Sequence, residues 1–211
     1  MAYQSINPYD GKILKTFEEM TDSQLETAIK TAATCYERWR QESFAERAAV
    51  VAKAAAIMRA RVDEFAHPAT IEMGKLIEQA RGEVLLSADI IDYYAKNAEC
   101  FLAPLDLKPG WGEAKVESSP IGVLFGVQPW NFPYYQLVRF AAPNLMAGNV
   151  VMVKHAGIVP QCAIAIEEIF KQAGAPAGLY TNLLISGKRA TALVSDKRIK
   201  GVSLTGSEAA G

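Results

Sequence analysis

Residues 121–156 constrain the fold of this 211-residue chain more than any other segment. The apolar run Ile121–Val127 predicts a strand that is buried on both faces. A segment of helical length follows at about Tyr134–Met146, and a second apolar strand is predicted at Val150–Val153. A strand, a helix and a strand in this order predict a right-handed βαβ unit of a parallel sheet.

Two polar residues follow the predicted strands of this unit. Asn131 lies in a turn bracketed by Pro129 and Pro133, and Lys154 comes directly after the second strand. Ligands of βαβ units bind outside the carboxyl ends of the strands, so we expect both side chains beside a ligand. The prolines fix the backbone and stiffen the turn that carries Asn131.

The first half of the chain predicts helices ahead of this sheet. A turn at residues 7–11 interrupts a short extended segment. Capping boxes that begin at Thr21 and Ser43 predict two amphipathic helices, and Pro68 is expected to break the second one. A long helix is predicted after Lys75.

Residues 101–120 differ in character from the helices before them. They carry several prolines and glycines, and the alternation at Ala114–Ser118 predicts a β-ribbon that projects from the body or pairs with another subunit. From residue 121 onward strands and helices alternate, which indicates an α/β fold with a parallel sheet. The last strand, Val202–Leu204, passes into a predicted helix that opens at Thr205–Glu208. We therefore expect these residues to be the N-terminal part of a longer protein.

Charge and composition exclude several classes of partner. The formal net charge is −1 with no basic tract, which argues against nucleic acid and against an anionic membrane surface. No apolar run approaches the roughly 18 residues of a membrane span, and the N-terminus lacks the apolar core of a secretory signal. The three cysteines, at 35, 100 and 162, have no metal-ligand spacing, so we expect no metal site and a reducing cytoplasm.

The polar residues near the predicted strand ends each allow two interpretations. The Asn131 amide can stabilise a developing oxyanion, or it can tie up turn backbone as many asparagines do. Lys154 can bind a ribose or a phosphate, or it can be a solvated lysine at a strand end. Ser207, after Gly206, can cap a helix that binds phosphate or one that binds nothing. We interpret His155 as a residue that shapes the site and not as a base, because no acidic partner adjoins it.

Two absences narrow the chemistry further. The chain contains neither the G-x-G-x-x-G fingerprint nor a phosphate-binding P-loop, so a dinucleotide would have to bind in a non-standard way. Cys35, Cys100 and Cys162 all fall on predicted helices, away from any strand-to-turn junction. We interpret them as small core or helix-flank residues and not as nucleophiles.

In combination, these residues resemble the aldehyde dehydrogenase superfamily along essentially the whole chain. The similarity is close at four segments, with Glu72-Met73-Gly74-Lys75 as a fifth that matches the E-x-G-K segment of the family. Lys154-His155-Ala156 and Asn182-Leu183-Leu184-Ile185 are similar to the succinate-semialdehyde dehydrogenase branch, although most relatives have proline at position 155. The four close segments are Pro129-Trp130-Asn131-Phe132-Pro133, Ala147-Gly148-Asn149, Val151-Met152-Val153-Lys154 and Leu204-Thr205-Gly206-Ser207.

The resemblance implies a Rossmann-like sheet and a mechanism. A cysteine thiolate attacks the aldehyde, Asn131 and a backbone N–H hold the oxyanion, hydride passes to NAD or NADP, and a glutamate activates water. The family's nucleophilic cysteine and catalytic glutamate would lie beyond Gly211. By the same resemblance the cofactor site comprises Trp130, Asn131, Lys154, His155, Ala156, Gly157, Gly206 and Ser207.

The resemblance also implies a domain division and a cofactor preference. Residues 1–120 would form the N-terminal helices with the ribbon, and residues 121–211 the first part of the cofactor domain, with the catalytic domain absent. NAD-preferring relatives often carry glutamate where Gly157 stands. Without that carboxylate a 2′-phosphate meets no repulsion, so we expect NADP to be accepted as well as NAD.

Three functions remain open from the sequence. The first is oxidation of a small aldehyde, with succinate semialdehyde the favoured substrate, by a homo-oligomer (dimer or tetramer) that contains this chain. The second is a catalytically inactive nucleotide-binding or assembly module, since the chain lacks a candidate nucleophile. The third is an unrelated flavodoxin-like module that binds a mononucleotide.

Overall fold

The computed structural model describes residues 3–211. A four-stranded parallel sheet of order β7-β6-β5-β8 lies with two separate antiparallel pairs, β1 with β2 and β3 with β4. The predicted α/β fold with a parallel sheet and a β-ribbon is therefore confirmed. The elements are β1 (Tyr3–Ile6), β2 (Ile13–Phe17), α1 (Asp22–Trp39), α2 (Phe44–Ala60), α3 (Val62–Met73), α4 (Ile77–Phe101), β3 (Leu105–Leu107), β4 (Ala114–Val116), β5 (Val123–Gln128), α5 (Tyr135–Met146), β6 (Val150–His155), α6 (Pro160–Ala173), β7 (Tyr180–Asn182), α7 (Gly187–Val194), β8 (Ile199–Leu204) and a 3-10 helix at Glu208–Ala210.

Strands β5 and β6 form the centre of the sheet. They pair in parallel from Val123 with Val150 to Gln128 with His155, and both are buried along almost their whole length. The chain passes from β5 through α5 to β6 and then through α6 to β7, each time toward the same edge of the sheet. Because such connections are right-handed, α5 and α6 lie on the same face of the sheet. Helix α1 packs across β5, β6 and β7 on the other face. Burial on both faces explains why these strands have continuous apolar sequences instead of alternating ones.

Helices α2, α3 and α4 pack on the outer side of α5 and α6. Both predicted capping boxes form, at Thr21 with Gln24 and at Ser43 with Glu46. Helix α2 packs on α4, α5 and α6, while α4 packs on α5, so residues before and after position 120 share one apolar core. The division into two domains at residue 120 stays a prediction.

The prediction that Pro68 breaks a helix is wrong. Helix α2 ends at Arg61, which has φ −127° and ψ 36°, and Pro68 lies inside α3. A proline there forfeits the hydrogen bond to the Glu64 carbonyl. Phe65 and Ala69 on the same helix are buried in the core, and this packing holds α3 together across the missing bond.

The far edge of the sheet and the ribbon are among the exposed parts of the fold. Strand β8 leaves Val202 and Leu204 45% and 41% exposed, and Trp111 in the ribbon loop is 89% exposed. After β8 the expected helix is only a three-residue 3-10 helix at Glu208–Ala210. None of the helices within residues 3–211 is long and apolar enough to cross a membrane.

Candidate oxyanion and cofactor site

The strand order reverses beside β5. Strands β6 and β7 follow on one side of it, and the chain then returns to form β8 on the other side. A crevice at the carboxyl ends of the strands at such a reversal is where open α/β sheets bind ligands. Asn131 follows β5, and Gly206 with Ser207 follows β8, where the Thr205 N–H donates to the Val127 carbonyl at 3.0 Å. These three predicted site residues therefore lie beyond the carboxyl ends of two neighbouring strands, β5 and β8.

Asn131 presents its side chain to solvent at this crevice. The residue is exposed, and its side-chain amide makes no hydrogen bond within residues 3–211. Its backbone is held, because the Asn131 carbonyl accepts a hydrogen bond of 2.9 Å from Lys75 Nζ. A free amide on a restrained backbone is the arrangement that an oxyanion-binding group requires.

A buried ion pair lies beneath this turn. Lys75 pairs with Glu83, and their side chains are only 7% and 1% exposed. The other Glu83 oxygen accepts the backbone N–H groups of Tyr134 and Tyr135 at 2.8 and 3.1 Å. Lys75 Nζ also lies 3.9 Å from the centre of the Phe132 ring. Both ends of the turn are thus tied to one pair of charges.

The sequence reasoning did not identify Glu83 as part of the site. The sequence singles out Lys75 only as part of the E-x-G-K segment of the resemblance. The sequence does contain an indication of this role. Glu83 falls between Ala80 and Val84 on the apolar face of α4, and a charged side chain buried there is stable only if it is paired.

His155 restrains the turn from the side of β6. Its ring accepts the Ala156 N–H at Nδ1 (2.9 Å), so the ring proton belongs on Nε2, which donates to the Pro133 carbonyl at 2.9 Å. The Gln128 carbonyl lies 3.2 Å from Nδ1. Burial lowers the His155 pKa to about 4, against the opposing effect of these backbone contacts. A neutral, buried imidazole that binds backbone groups agrees with our interpretation of His155 as a shaping residue.

The burial of His155 also limits its predicted contact with a cofactor. The residue is 2% exposed, and its ring nitrogens already face backbone groups. Only backbone atoms of this residue remain available for the cofactor role that the resemblance implies.

Lys154 lies within β6 and not after it. Its side chain is half-buried, and Nζ donates to the His155 carbonyl at 3.0 Å. Burial lowers the Lys154 pKa, while the nearby Glu19 carboxylate raises it. Gly157 follows on the exposed surface, and a Cβ atom there would meet the Tyr3 ring at 3.5 Å, an ordinary contact. Lys154, the half-buried Ala156 and Gly157 follow one another at the end of β6.

The remaining predicted cofactor residues are exposed. Trp130 is 49% exposed, and Gly206 and Ser207 are exposed as well. Ser207 precedes the 3-10 helix without a side-chain capping bond. The role of Gly206 and Ser207 at a pyrophosphate stays a prediction from the resemblance.

The cysteines occupy positions expected of structural residues. Cys35 and Cys162 are buried in the core, and burial raises the Cys35 pKa to about 11 and that of Cys162 well above its ordinary value. Cys100 is exposed near the end of α4. The interpretation as core and helix-flank residues is confirmed.

The open parallel sheet, with helices on both faces, defines an α/β protein with a Rossmann-like fold. Comparison of the sequence with known families identifies the protein family. Residues 1–211 match the aldehyde dehydrogenase family, and the chain belongs to that family. The third possibility, an unrelated flavodoxin-like module, is thereby excluded.

Curated relatives carry a more specific name. The chain is 44% identical to the succinate-semialdehyde dehydrogenase [NADP(+)] of Deinococcus radiodurans, over 99% of this chain and 44% of the relative. It is 43% identical to succinate-semialdehyde dehydrogenase [NADP(+)] 1 of Mycobacterium tuberculosis, over 100% of this chain and 47% of the relative. The chain therefore spans about half the length of the relatives that it matches.

Solved structures share the fold closely. A succinic semialdehyde dehydrogenase from Streptococcus pyogenes in complex with NADP+ is 45% identical, with a TM-score of 0.96 over 99% of this chain and 46% of that one. An NAD-dependent benzaldehyde dehydrogenase from Corynebacterium glutamicum is 26% identical, with a TM-score of 0.91 over 98% of this chain and 46% of that one. The fold is thus common to relatives that differ in named cofactor and substrate.

Proposed function

We propose that this chain forms the oxyanion-binding and part of the cofactor-binding region of an enzyme that oxidises succinate semialdehyde with NADP. The observation that carries the proposal is the Asn131 amide, which is exposed and unpaired within the described residues while its backbone is tied down by Lys75. The names of the curated relatives support the substrate and the cofactor.

The proposed chemistry assigns Asn131 a defined role. When a nucleophile adds to an aldehyde, the carbonyl oxygen gains negative charge, and the Asn131 NH₂ group donates a hydrogen bond to it. A preorganised donor of this kind lowers the barrier by about 3 kcal/mol. The nicotinamide cofactor, when bound, accepts the hydride. Burial raises the pKa values of the Cys35 and Cys162 thiols, which makes both of them poor nucleophiles. By resemblance to the family, we assign the nucleophile and the water-activating glutamate to residues outside these 211.

Replacing Asn131 tests this role. In the active enzyme that contains this chain, Asn131→Ala is expected to lower kcat about 10²- to 10³-fold, because the oxyanion loses a donor. The Tm should stay unchanged, since the amide supports no other contact in the described chain. Asn97→Ala, which removes an exposed amide on α4, is the matched control. An unaltered kcat in the Asn131 variant would refute the proposal.

Gly157 offers a test of the cofactor preference. Gly157→Glu places a carboxylate at the end of β6, where we expect it to repel the 2′-phosphate of NADP, and Gly157→Gln supplies the same bulk without charge. We expect the glutamate variant to lose at least tenfold in kcat/KM for NADP, about 1.4 kcal/mol, and the glutamine variant to lose much less. A hundredfold preference of the unmodified enzyme for NAD, about 2.7 kcal/mol, would contradict acceptance of NADP.

A second candidate function is a non-catalytic nucleotide-binding or assembly module. The raised pKa values of both buried thiols favour it, because neither is a ready nucleophile. The intact mass of the purified native protein separates the two functions. A mass near 22.9 kDa favours the module, and a mass near twice that favours the enzyme.

We further propose a homo-oligomer in the cytoplasm. The ribbon β3–β4 is exposed throughout, with Leu105 and Trp111 61% and 89% exposed, and it offers apolar surface to a second subunit. The three cysteines are free thiols, as in a reducing compartment. Light scattering on the native protein measures the subunit number, and a monomer would contradict the assembly.

A further inference from the structure

A pair of opposite charges is buried beneath the Asn131 turn. Lys75 and Glu83 have side chains that are 7% and 1% exposed, and they contact each other directly. Two charges removed from water in this way are costly, and replacing such a pair by apolar residues is often neutral or stabilising. Folding alone therefore does not explain why a pair of charges occupies this position.

The contacts of the pair converge on one short segment of backbone. Lys75 Nζ donates to the Asn131 carbonyl at 2.9 Å and lies against the Phe132 ring. Glu83 accepts the N–H groups of Tyr134 and Tyr135, where the positive end of the α5 dipole favours a carboxylate. The backbone is thus anchored on both sides of the Asn131 side chain.

The Asn131 side chain itself has no anchor. Within residues 3–211 its amide forms no hydrogen bond, so the restrained backbone, which fixes the Cα–Cβ bond, limits the positions that the amide can reach. We propose that Lys75 and Glu83 are positioning residues that aim the Asn131 amide at the developing oxyanion. This inference rests on the proposed function of Asn131.

A double-mutant cycle tests whether Lys75 acts through Asn131. In the active enzyme we compare kcat for Lys75→Met, for Asn131→Ala and for the combination of both substitutions. We expect Lys75→Met to lower kcat about tenfold when asparagine is present and less than twofold when alanine replaces it, because the aimed group is then gone. KM for the cofactor should change little.

The outcomes of the cycle distinguish the positioning role of Lys75 from the proposed function of Asn131. An equal loss in both backgrounds would overturn the positioning role and leave the function of Asn131 intact. An unchanged kcat for Asn131→Ala alone would instead refute the proposed function, and the positioning role with it. Lys96→Met breaks an exposed pair with Asp92 on α4 and is the matched control, expected to leave kcat unaltered.

A second variant keeps the test decisive if Lys75→Met does not fold. Glu83→Gln retains the size of the side chain and one acceptor for the α5 N–H groups, but it removes the charge that holds Lys75. The same cycle with Asn131→Ala is expected to show the same loss of additivity, with about a threefold to tenfold fall in kcat. Additive losses here would overturn the inference.

Discussion

Two segments, called here the walls of the crevice, are built in different ways. One comprises residues 129–134 after β5, and the other comprises residues 205–211 after β8. The wall after β5 is held by side chains from distant parts of the chain, namely Lys75, Glu83 and His155, each bonded to its backbone. The wall after β8 is held by backbone bonds, one from Thr205 to β5 and two local ones at Ala210 and Gly211. Within residues 3–211 the first wall is held by tertiary contacts from distant side chains, while the described part of the second wall is held by these backbone bonds.

The difference matches the chemistry proposed for each wall. An oxyanion donor stabilises a transition state only if it is already oriented when charge develops, so its backbone must be rigid. A segment beside a cofactor can order itself on binding, at an entropic cost. We therefore expect substitutions beneath the first wall to alter stability strongly and substitutions in the second wall to alter it little.

The largest effect is expected from Glu83→Ala. This change leaves the buried Lys75 without its carboxylate and the Tyr134 and Tyr135 N–H groups without an acceptor, which should lower the free energy of unfolding by about 3 kcal/mol or more. Urea unfolding measures it. Glu78→Ala, on the exposed side of the same helix, is the control, and a loss no greater than in the control would abolish the contrast between the walls.

The pH dependence of stability tests the role of His155. Its folded pKa of about 4 lies below the ordinary 6.5, so the unfolded chain binds the proton first. The stabilising contribution is therefore complete above pH 6.5 and is lost as the pH falls from 6.5 towards 4. Between pH 7.5 and 5 we expect the protein to lose about 2 kcal/mol more than a His155→Gln variant. If the free energy of unfolding of the unmodified protein and of the His155→Gln variant falls equally with pH, the folded protein does not hold the imidazole neutral.

The smallest effect is expected at Ser207. Its side chain makes no capping bond, so Ser207→Ala should change the free energy of unfolding by less than about 0.5 kcal/mol. Ser43→Ala is the matched comparison, because that serine completes a capping box and should cost about 1 kcal/mol. Equal losses at the two serines, measured by urea unfolding, would mean that the wall after β8 is better supported than we infer.

Much of the fold was predictable because its signals are local. The apolar runs of β5 and β6 and the capping boxes at Thr21 and Ser43 each act within a few residues, and each prediction is confirmed. The expected break at Pro68 failed because buried neighbours on α3 outweigh one missing hydrogen bond. Local preference decides an element only where tertiary packing does not oppose it.

For the candidate site the sequence by itself determined which groups stand at the ends of the strands. Asn131 could be placed there because strand, helix and strand follow in order, and family resemblance gave Asn131 its expected role. Lys154, which was expected directly after β6, lies within that strand. Only the tertiary structure decided what holds Asn131 in place. Glu83 lies 51 residues before Tyr134 along the chain, yet it contacts the N–H of that residue at 2.8 Å. Such a contact depends on how α4 packs against α5, and no periodicity or spacing in the sequence encodes that packing directly.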